Sequence, residues 1–419
     1  MNDSSALVVG GGVIGAACAY FLAKAGLNVT IVERDLFGHG CSHANCGLVC
    51  PSHVLPLAEP GAVKKSLKIM LRPNAPLKVG LRWDPALWQW LLRFAGCCRT
   101  DQMLRAARGR QALLHSSISL YRQLVREENL QCEWTERGLL FVYEHKREFE
   151  AFAQTNELLS SHFNESAVRY DGDALRELEP ALKPGLAGGW YYKEDAHLKS
   201  EELLSSWRRL LENLNVRILE KQPVTDFVFN GRCLKRVETT RGELSADVFV
   251  LTTGAWTPLF SRRLKCSFPI QPGKGYTWTT SVPQPSPSIP LIFPEQRVAV
   301  TPYRSCFRLG SIMEFVGYDE SIRPKRINLL KKAAARFLTT PHGSDEQKQW
   351  YGWRPMTYDG LPIIDRLPDC DNLWVAAGHN MIGTSTAPAT GRLLAEQLTN
   401  AEPHISPDWF SFRRFNQKT

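Results

Sequence analysis

The chain has 419 residues, of which 43% are hydrophobic, and this size is typical of two or three domains with sizeable cores. Its 51 Lys and Arg residues outnumber its 42 Asp and Glu residues, giving a formal charge of +9. The basic residues form no run and no nucleic-acid motif, which excludes nucleic acid as a partner. The sequence contains no uninterrupted stretch of about twenty apolar residues, which is the length that a helix needs to span a membrane. The 11 cysteines lack the spacing of a disulfide framework, so we expect a soluble cytoplasmic protein.

The first predicted unit is a βαβ unit with a glycine-rich turn. Its parts are a strand over 7–9, the glycines Gly10, Gly12 and Gly15, a helix over 13–25, a strand over 29–32 and Glu33. Gly10 permits a tight turn, Gly12 lets the backbone approach a pyrophosphate, and Gly15 lets the helix pack closely on the strand. The helix directs its N-terminal N–H groups at the phosphates, while Glu33 accepts hydrogen bonds from ribose hydroxyls and repels a 2′-phosphate. The unit predicts a dinucleotide-binding enzyme and disfavours NADP.

Beyond this unit, helices and strands alternate around a proline-rich block. We predict helices over 85–131, 147–163, 173–178, 200–213, 327–338 and 385–398, and strands over 138–143, 188–192, 247–254 and 373–377. Within 266–312, β-branched and aromatic residues alternate, and a hairpin pairs 298–301 with 307–310. The predicted fold class is α/β, α+β overall. It has a Rossmann-like βαβ core and an inserted substrate domain with a mixed antiparallel sheet.

The segment 64–99 concentrates basic and aromatic residues. Its basic residues are Lys64, Lys65, Lys68, Arg72, Lys78, Arg82, Arg93 and Arg99, and its apolar residues are Ile69, Met70, Leu71, Trp83, Leu87, Trp88, Trp90, Leu91, Leu92 and Phe94. Such a segment suits peripheral contact with the anionic inner face of a membrane. We favour the alternative, a helix that packs its tryptophans into the domain core.

Further motifs are spread in order over nearly the whole chain. They are Ser-His-Ala-Asn-Cys-Gly at 42–47 with 56–61, then 74–77, 252–256, 274–276, 308–311 with Glu314, Gly-Trp-Arg-Pro-Met-Thr-Tyr-Asp-Gly at 352–360, and 378–383. Together with the βαβ unit, these motifs resemble the FAD-dependent D-amino acid oxidase superfamily. The resemblance is greatest to the bacterial D-amino acid dehydrogenase branch.

The resemblance implies a bound FAD, with its isoalloxazine between the 42–47 loop and the 378–383 turn. The residues that it assigns to the cofactor are Gly10, Gly12, Val13, Ile14, Gly15, Glu33, Arg34, Ser42, His43, Ala44, Asn45, Gly47, Val224, Thr253, Gly254, Trp256, Gly378, His379, Met381, Ile382, Gly383 and Thr384. A helix start near the reduced flavin would stabilise its negative charge. Whether FAD is attached covalently, for instance through Cys46, stays open, and no metal site is predicted.

The expected domains are both discontinuous. An FAD-binding domain would comprise 1–84, 195–260 and 350–419, and a substrate-binding domain would comprise 85–194 and 261–349.

The resemblance implies that four residues carry the chemistry: Arg354, Tyr276, Tyr303 and His379. Arg354 would grip a substrate carboxylate through two parallel hydrogen bonds. Tyr276 or Tyr303 would supply a hydroxyl to the substrate carboxylate; the alternative is that these tyrosines belong to the core. His379 would either tune the electronic properties of the flavin or make only a local hydrogen bond. Arg304 and Arg308 are weaker candidates, because 301–303 is Thr-Pro-Tyr where some relatives place an arginine. No general base is required.

The implied reaction is oxidative deamination of a small amino acid by hydride transfer from Cα to flavin N5. The expected substrate is a D-amino acid, D-proline or a hydroxyproline, and the expected electron acceptor is a quinone or another protein. One alternative is a glycine or sarcosine oxidase that uses oxygen. Others are a flavin-dependent hydroxy-acid dehydrogenase and a non-catalytic FAD-bound subunit. Stereochemistry and oligomeric state stay open.

Overall fold

The computed structural model describes residues 4–70, 75–80 and 83–415. Helices in this part of the chain are α1 (Val13–Lys24), α2 (Ala62–Met70), α3 (Pro85–Cys97), α4 (Thr100–Glu127), α5 (Lys146–Phe163), α6 (Gly172–Leu178), α7 (Ser200–Asn213), α8 (Pro324–Phe337) and α9 (Gly383–Leu398). Short 3-10 helices lie at Gly254–Phe260, Pro407–Phe410 and Phe412–Phe415. None of the described helices is both long and apolar enough to cross a bilayer.

Twenty strands complete the described secondary structure. They are β1 (Ser5–Val9), β2 (Asn28–Val32), β3 (Leu48–Val49), β4 (Leu77–Val79), β5 (Leu139–Tyr143), β6 (Val168–Asp171), β7 (Gly188–Tyr192), β8 (Ala196–His197), β9 (Arg217–Leu219), β10 (Val224–Asn230), β11 (Cys233–Thr239), β12 (Gly242–Ser245), β13 (Val248–Leu251), β14 (Ile270–Thr280), β15 (Leu291–Phe293), β16 (Val298–Pro302), β17 (Phe307–Phe315), β18 (Glu346–Thr357), β19 (Ile363–Arg366) and β20 (Leu373–Ala377).

The first large sheet has six strands in the order β19-β20-β13-β1-β2-β9. Its strands run parallel except for the edge strand β19. Val8, Ile31, Val250 and Val375 are fully buried, as expected for parallel strands covered on both faces. Strand β1 lies between β2, which follows it directly in the chain, and β13, which comes much later in the chain. Open sheets of this kind bind ligands at the carboxyl ends of such strands.

The second large sheet has the order β18-β14-β17-β16-β15-β5-β7-β6, with β4 paired to β17. Every residue of its long strand β14 is buried. Helix α8 covers one face, where the rings of Phe293 and Phe337 stack with centroids 4.0 Å apart. This sheet carries the antiparallel strands on which Tyr276 and Arg354 lie.

The predicted α/β class, with a parallel nucleotide-binding unit and a mixed sheet, is confirmed. The hairpin of β16 and β17 forms as predicted, and α1 ends one residue earlier than expected. The helix predicted over 85–131 is two helices, α3 and α4, because the chain turns at 98–99, and α4 ends at Glu127, before the predicted end. Sequence reasoning missed α2, the three-stranded sheet β10-β11-β12 and the full length of β18. The domain limits stay a prediction.

Candidate active site

A cavity of about 1040 Å³ begins at the carboxyl ends of β1 and β13 and reaches the face of β14, β17 and β18. The first residues of two helices line it, Val13 of α1 and Gly383 of α9. These helices cross closely, since a Cβ on Gly391 would lie 2.5 Å from the carbonyl oxygen of Ala17. No side chain in the described part of the chain caps helix α9, so its first N–H groups are available to a ligand.

The glycine-rich turn has the shape that its spacing predicts. Gly10 has φ +111°, and a Cβ on Gly15 would lie 1.9 Å from the carbonyl oxygen of Gly10. These two glycines are therefore required by the fold itself. A Cβ on Gly12 would meet only the Ser42 hydroxyl, at 3.4 Å, so Gly12 leaves an open cradle in the cavity wall. A phosphate group is able to approach the backbone there.

Glu33 is fixed at the end of β2. Its Oε2 accepts a hydrogen bond from the Gly11 N–H at 2.6 Å, and its Oε1 accepts one from the Asp35 N–H at 3.0 Å. Beside it, the Arg34 guanidinium lies 3.9 Å from the Trp256 ring centroid, and both side chains line the cavity. The cradle at Gly12, the carboxylate and the cavity volume together fit a dinucleotide such as FAD.

The loop 42–47 is held from behind by side chains of the second sheet. The Thr277 hydroxyl donates to the Ala44 carbonyl at 2.9 Å. The Thr301 and Tyr303 hydroxyls both donate to the Cys46 carbonyl, at 2.8 and 3.0 Å. Carbonyl oxygens of an irregular buried loop need such partners, so the sheet determines the shape of this loop.

Asn45 joins the same loop to helix α9. Its Nδ2 donates to the Ser42 carbonyl at 2.9 Å and to the Thr384 hydroxyl at 3.0 Å. The Asn45 carbonyl accepts from Arg308 Nη1 at 2.8 Å, and the buried Arg308 also pairs with Glu201 at 2.5 Å. Arg308 is thus a tether of the loop rather than a group that faces the cavity.

Arg354 lies on β18 and lines the cavity. Its Nη1 donates to the Ile312 carbonyl at 2.8 Å, and no carboxylate within the described ranges forms an ion pair with it. Burial lowers the pKa of Arg354, because desolvation disfavours the charged form. A Cβ on Gly275 of β14 would lie 2.4 Å from Arg354 Cζ. Glycine at 275 therefore makes room for the guanidinium.

The backbone below Arg354 is strained. Ser311 and Ile312 have φ of +106° and +45°, and the pairing of β14 with β17 is irregular between Lys274 and Tyr276. A β-branched residue at positive φ is a genuine outlier. The strained segment presents the Ile312 carbonyl to Arg354. The sequence carries no turn signal at 311–312, so this feature was missed.

The two tyrosines use their hydroxyl groups elsewhere. The Tyr276 hydroxyl donates to Glu314 at 2.5 Å, and Glu314 in turn pairs with Arg326. Burial, followed by the hydrogen bond to Glu314, raises the pKa of Tyr276. Only Tyr276 lines the cavity, whereas Tyr303 lies behind the 42–47 loop.

His379 lines the cavity and is 2% exposed. Its Nε2 lies 3.0 Å from the Thr390 hydroxyl. Burial lowers the pKa of His379 to about 3, so the imidazole is neutral at physiological pH. A neutral imidazole bonded to a threonine fits the local hydrogen-bonding role that the sequence left open.

The structure brings most of the predicted site residues to one cavity. Those lining it are Gly10, Gly12, Val13, Ile14, Glu33, Arg34, Ser42, Asn45, Gly47, Val224, Thr253, Gly254, Trp256, Tyr276, Arg354, His379, Met381, Ile382, Gly383 and Thr384. Those outside the lining are Gly15, His43, Ala44, Tyr303 and Gly378. The lining also includes residues that the sequence analysis did not select, among them His53, Arg110, Arg297, Ser311 and Trp353.

Comparison with known proteins gives a consistent assignment. The model of the DAO family, described as FAD dependent oxidoreductase, matches residues 5–397. D-amino acid dehydrogenases of Paramagnetospirillum magneticum and Helicobacter pylori are 31% and 28% identical to this chain, each over 98% of both chains. The fold resembles glycine oxidase from Geobacillus kaustophilus, with TM-score 0.76, 22% identity and coverage of 97% of this chain and 98% of that one.

The fold is also similar to that of L-proline dehydrogenase from P. horikoshii. That comparison gives TM-score 0.75 and 19% identity, and covers 99% of this chain and 98% of the other. The predicted superfamily and cofactor are confirmed by the family match. The chain belongs to the DAO family of FAD-dependent oxidoreductases.

Proposed function

We propose that this protein is an amino acid dehydrogenase that acts on small D-amino acids. The observation that carries the proposal is the half-buried guanidinium of Arg354, which lines the cavity and has no carboxylate partner in the described part of the chain. A partly desolvated cation without a partner is costly, and an α-carboxylate would supply the missing charge. The D-amino acid dehydrogenases among the relatives support the choice of substrate class.

Arg354 would hold the carboxylate by two parallel hydrogen bonds. The Ile312 carbonyl occupies one N–H of Nη1 and so limits rotation of the guanidinium. With the carboxylate fixed, the Cα–H bond of the substrate has a defined direction in the cavity. FAD, when bound, would supply the two-electron acceptor for the hydride, and water would hydrolyse the resulting imine to a keto acid and ammonia.

The neighbouring side chains are poor general bases. His379 is bonded to Thr390, and the Tyr276 hydroxyl is committed to Glu314. The substrate amine would therefore reach the neutral form by losing its proton to solvent, and no protein base is assigned. The N–H groups at the start of α9 would stabilise negative charge that develops in the cavity.

The cofactor-binding roles are assigned from the position of each residue in the cavity wall. Gly12, Val13 and Ser42 would meet the phosphates, while Glu33 would accept hydrogen bonds from ribose. The other predicted cofactor residues that line the cavity would complete its walls. Gly15, Ala44 and Gly378 would act through the backbone shape that they permit, and His43 from outside the lining.

The test is an anaerobic absorbance titration of the FAD-loaded protein with D- and L-amino acids, prolines, hydroxyprolines, sarcosine, lactate and glycerol phosphate. We expect D-amino acids to bleach the flavin band. Addition of a quinone should then restore the band rapidly, whereas admission of oxygen should not. Bleaching by hydroxy acids alone would replace the proposal with a hydroxy-acid dehydrogenase. Rapid recovery with oxygen would make the protein an oxidase.

For the electron acceptor, we propose a membrane quinone reached by peripheral contact through part of 64–99. On α3, Leu87 and Trp90 are buried, but Trp88 is 45% and Leu92 75% exposed, and Trp83 before it is 94% exposed. Residues 71–74 and 81–82, which include Leu71, Arg72, Arg82 and the start of the 74–77 motif, lie outside the described residues. The favoured interpretation, packing into the core, therefore applies to the face of α3 with Leu87 and Trp90. The face with Trp88 and Leu92 is available for the membrane contact.

The proposed docking surface comprises the exposed Trp83, Trp88 and Leu92 and the exposed lysines of α2, which are Lys64, Lys65 and Lys68; this composition is typical of membrane-surface helices. Co-sedimentation with vesicles containing anionic lipid should be strong for the native protein and weaker for the double variant Trp83→Ser, Leu92→Ser. Equal sedimentation of both proteins would contradict the assignment of this surface. Vesicles without anionic lipid provide the control.

A further inference from the structure

A second arginine lines the cavity beside Arg354. Arg297 immediately precedes β16, has φ +54°, and its carbonyl accepts from the Ile312 N–H at 3.3 Å. Its side chain makes no hydrogen bond or ion pair with any residue that the structure describes. Burial lowers the pKa of Arg297, and the charge of Glu59 opposes this shift. Glu59 does not line the cavity, and it lies 4.0 Å from Lys65.

Strand order places the two arginines on either side of Ile312. Arg354 belongs to β18, but its guanidinium crosses β14 to reach the Ile312 carbonyl on β17. Arg297 meets the same residue from the β16 side. Since neighbouring strands lie about 4.8 Å apart, a small molecule held by Arg354 would have its far end within reach of the Arg297 side chain.

Other charged groups of the lining do not neutralise this end of the cavity. Arg110 also lines it, but this arginine donates to the carbonyls of His53, Val54 and Gly360, at 2.7, 2.8 and 3.3 Å. Arg110 is therefore satisfied by the fold.

The acidic side chains of the described lining are at the nucleotide end. Glu33 and Asp35 follow β2. Glu320 lies at the same end, because its charge and that of the neighbouring lining residue Arg34 both influence the pKa of Tyr351. Arg297 and Arg354 are left as two cations without an acidic neighbour in the lining. Apolar residues of the lining near Arg297, such as Ile292, Pro294 and Val298, suit an aliphatic chain.

We propose that Arg297 binds a second anionic group at the far end of the substrate, so that the enzyme prefers amino acids with an acidic side chain. This inference rests on the proposed function, in which Arg354 holds the α-carboxylate. A dicarboxylic amino acid would satisfy both half-buried cations at once, whereas a neutral substrate would leave one unpaired. Discrimination would come from that unpaired charge.

The experiment compares isosteric substrate pairs that differ only in charge: D-glutamate with D-glutamine, and D-aspartate with D-asparagine. We expect the native enzyme to favour the acid over the amide in kcat/KM by roughly tenfold or more, as for loss of a buried charge-assisted contact. Arg297→Gln should remove that preference, and Arg297→Lys should keep part of it. Arg241→Gln, at an exposed arginine outside the lining, is the matched control and should behave as the native enzyme.

Inhibition of the native enzyme provides a measurement that needs no variant. Glutarate should compete more strongly than butyrate, because only glutarate carries two carboxylates. An unchanged acid-to-amide ratio in Arg297→Gln would overturn the inference. So would a native enzyme that oxidises D-alanine but prefers the amides, or that is inhibited equally by the two acids. Failure of every amino acid to bleach the flavin would instead refute the proposed function.

Discussion

Replacement of Arg354 should separate catalysis from stability. Arg354→Met removes a half-buried cation that has one hydrogen bond, to the Ile312 carbonyl, and no ion pair within the described ranges. Loss of that hydrogen bond costs about 1 kcal/mol, but the variant no longer buries an unpaired charge, which offsets the loss. We therefore expect the melting temperature to fall by no more than about 4 °C.

Activity should respond quite differently. Without Arg354, the substrate carboxylate enters the cavity without its partner, and removing one member of a buried charge pair costs about 3–5 kcal/mol. This corresponds to a fall in kcat/KM of roughly 10²–10⁴-fold. Arg354→Lys keeps the charge but loses the two-point contact, so its kcat/KM should be intermediate.

Arg308→Met is the matched comparison, because Arg308 is buried but paired with Glu201 and bonded to the Asn45 carbonyl. Its loss leaves the half-buried Glu201 carboxylate and a loop carbonyl without this partner, so both melting temperature and FAD content should fall. The assay is anaerobic stopped-flow reduction, with melting temperature and flavin absorbance measured on the same samples. If Arg354→Met loses stability and FAD as Arg308→Met does, Arg354 is a structural residue and the substrate assignment is refuted.

Three further predictions use the cavity wall and one buried acid. Gly275→Ala should raise KM roughly tenfold with normal FAD content, because its Cβ would displace the Arg354 guanidinium; unchanged steady-state kinetics would contradict the close approach of 2.4 Å. Gly12→Ala should fold but bind FAD more weakly in a fluorescence titration, whereas Gly15→Ala should not yield folded protein, since its Cβ would lie 1.9 Å from Gly10 O. Burial raises the pKa of Asp195 to about 7, against the opposing hydrogen bonds from Ser52, so the folded state binds this proton more tightly than the unfolded state. Stability from this group is present at low pH and is lost as pH rises towards about 7, with a slope of at most ~1.4 kcal/mol per pH unit. Melting temperatures measured between about pH 5 and pH 8 should therefore fall less in Asp195→Asn than in the native protein, and parallel curves would count against the shift.

Local signals were sufficient for the nucleotide-binding unit. The glycine spacing, the apolar strands and Glu33 lie within one short stretch of chain, so their positions relative to one another are determined by local geometry. The same holds for the β16–β17 hairpin, whose strands are neighbours in sequence. Arg354 was found because it lies in a recognisable motif.

Features that depend on distant strand pairing were not predictable in the same way. The strain at Ser311 and Ile312 arises where β17 pairs with β14, and the role of Gly275 appears only once β18 lies beside β14. Arg297 joins the site because β16 lies next to β17. The direction of the Tyr276 and Tyr303 hydroxyls likewise depends on Glu314 and on the Cys46 carbonyl, which are far away in sequence.

The clamp on the 42–47 loop has a consequence for how such an enzyme changes its substrate. Thr277, Thr301 and Arg308 hold the loop, so substitution at any of them should weaken cofactor retention together with activity. Arg297 lies on the same sheet but contributes no side-chain hydrogen bond to the loop. Substitutions at Arg297 would therefore change substrate preference while flavin affinity is preserved. A new specificity would not require a new scaffold.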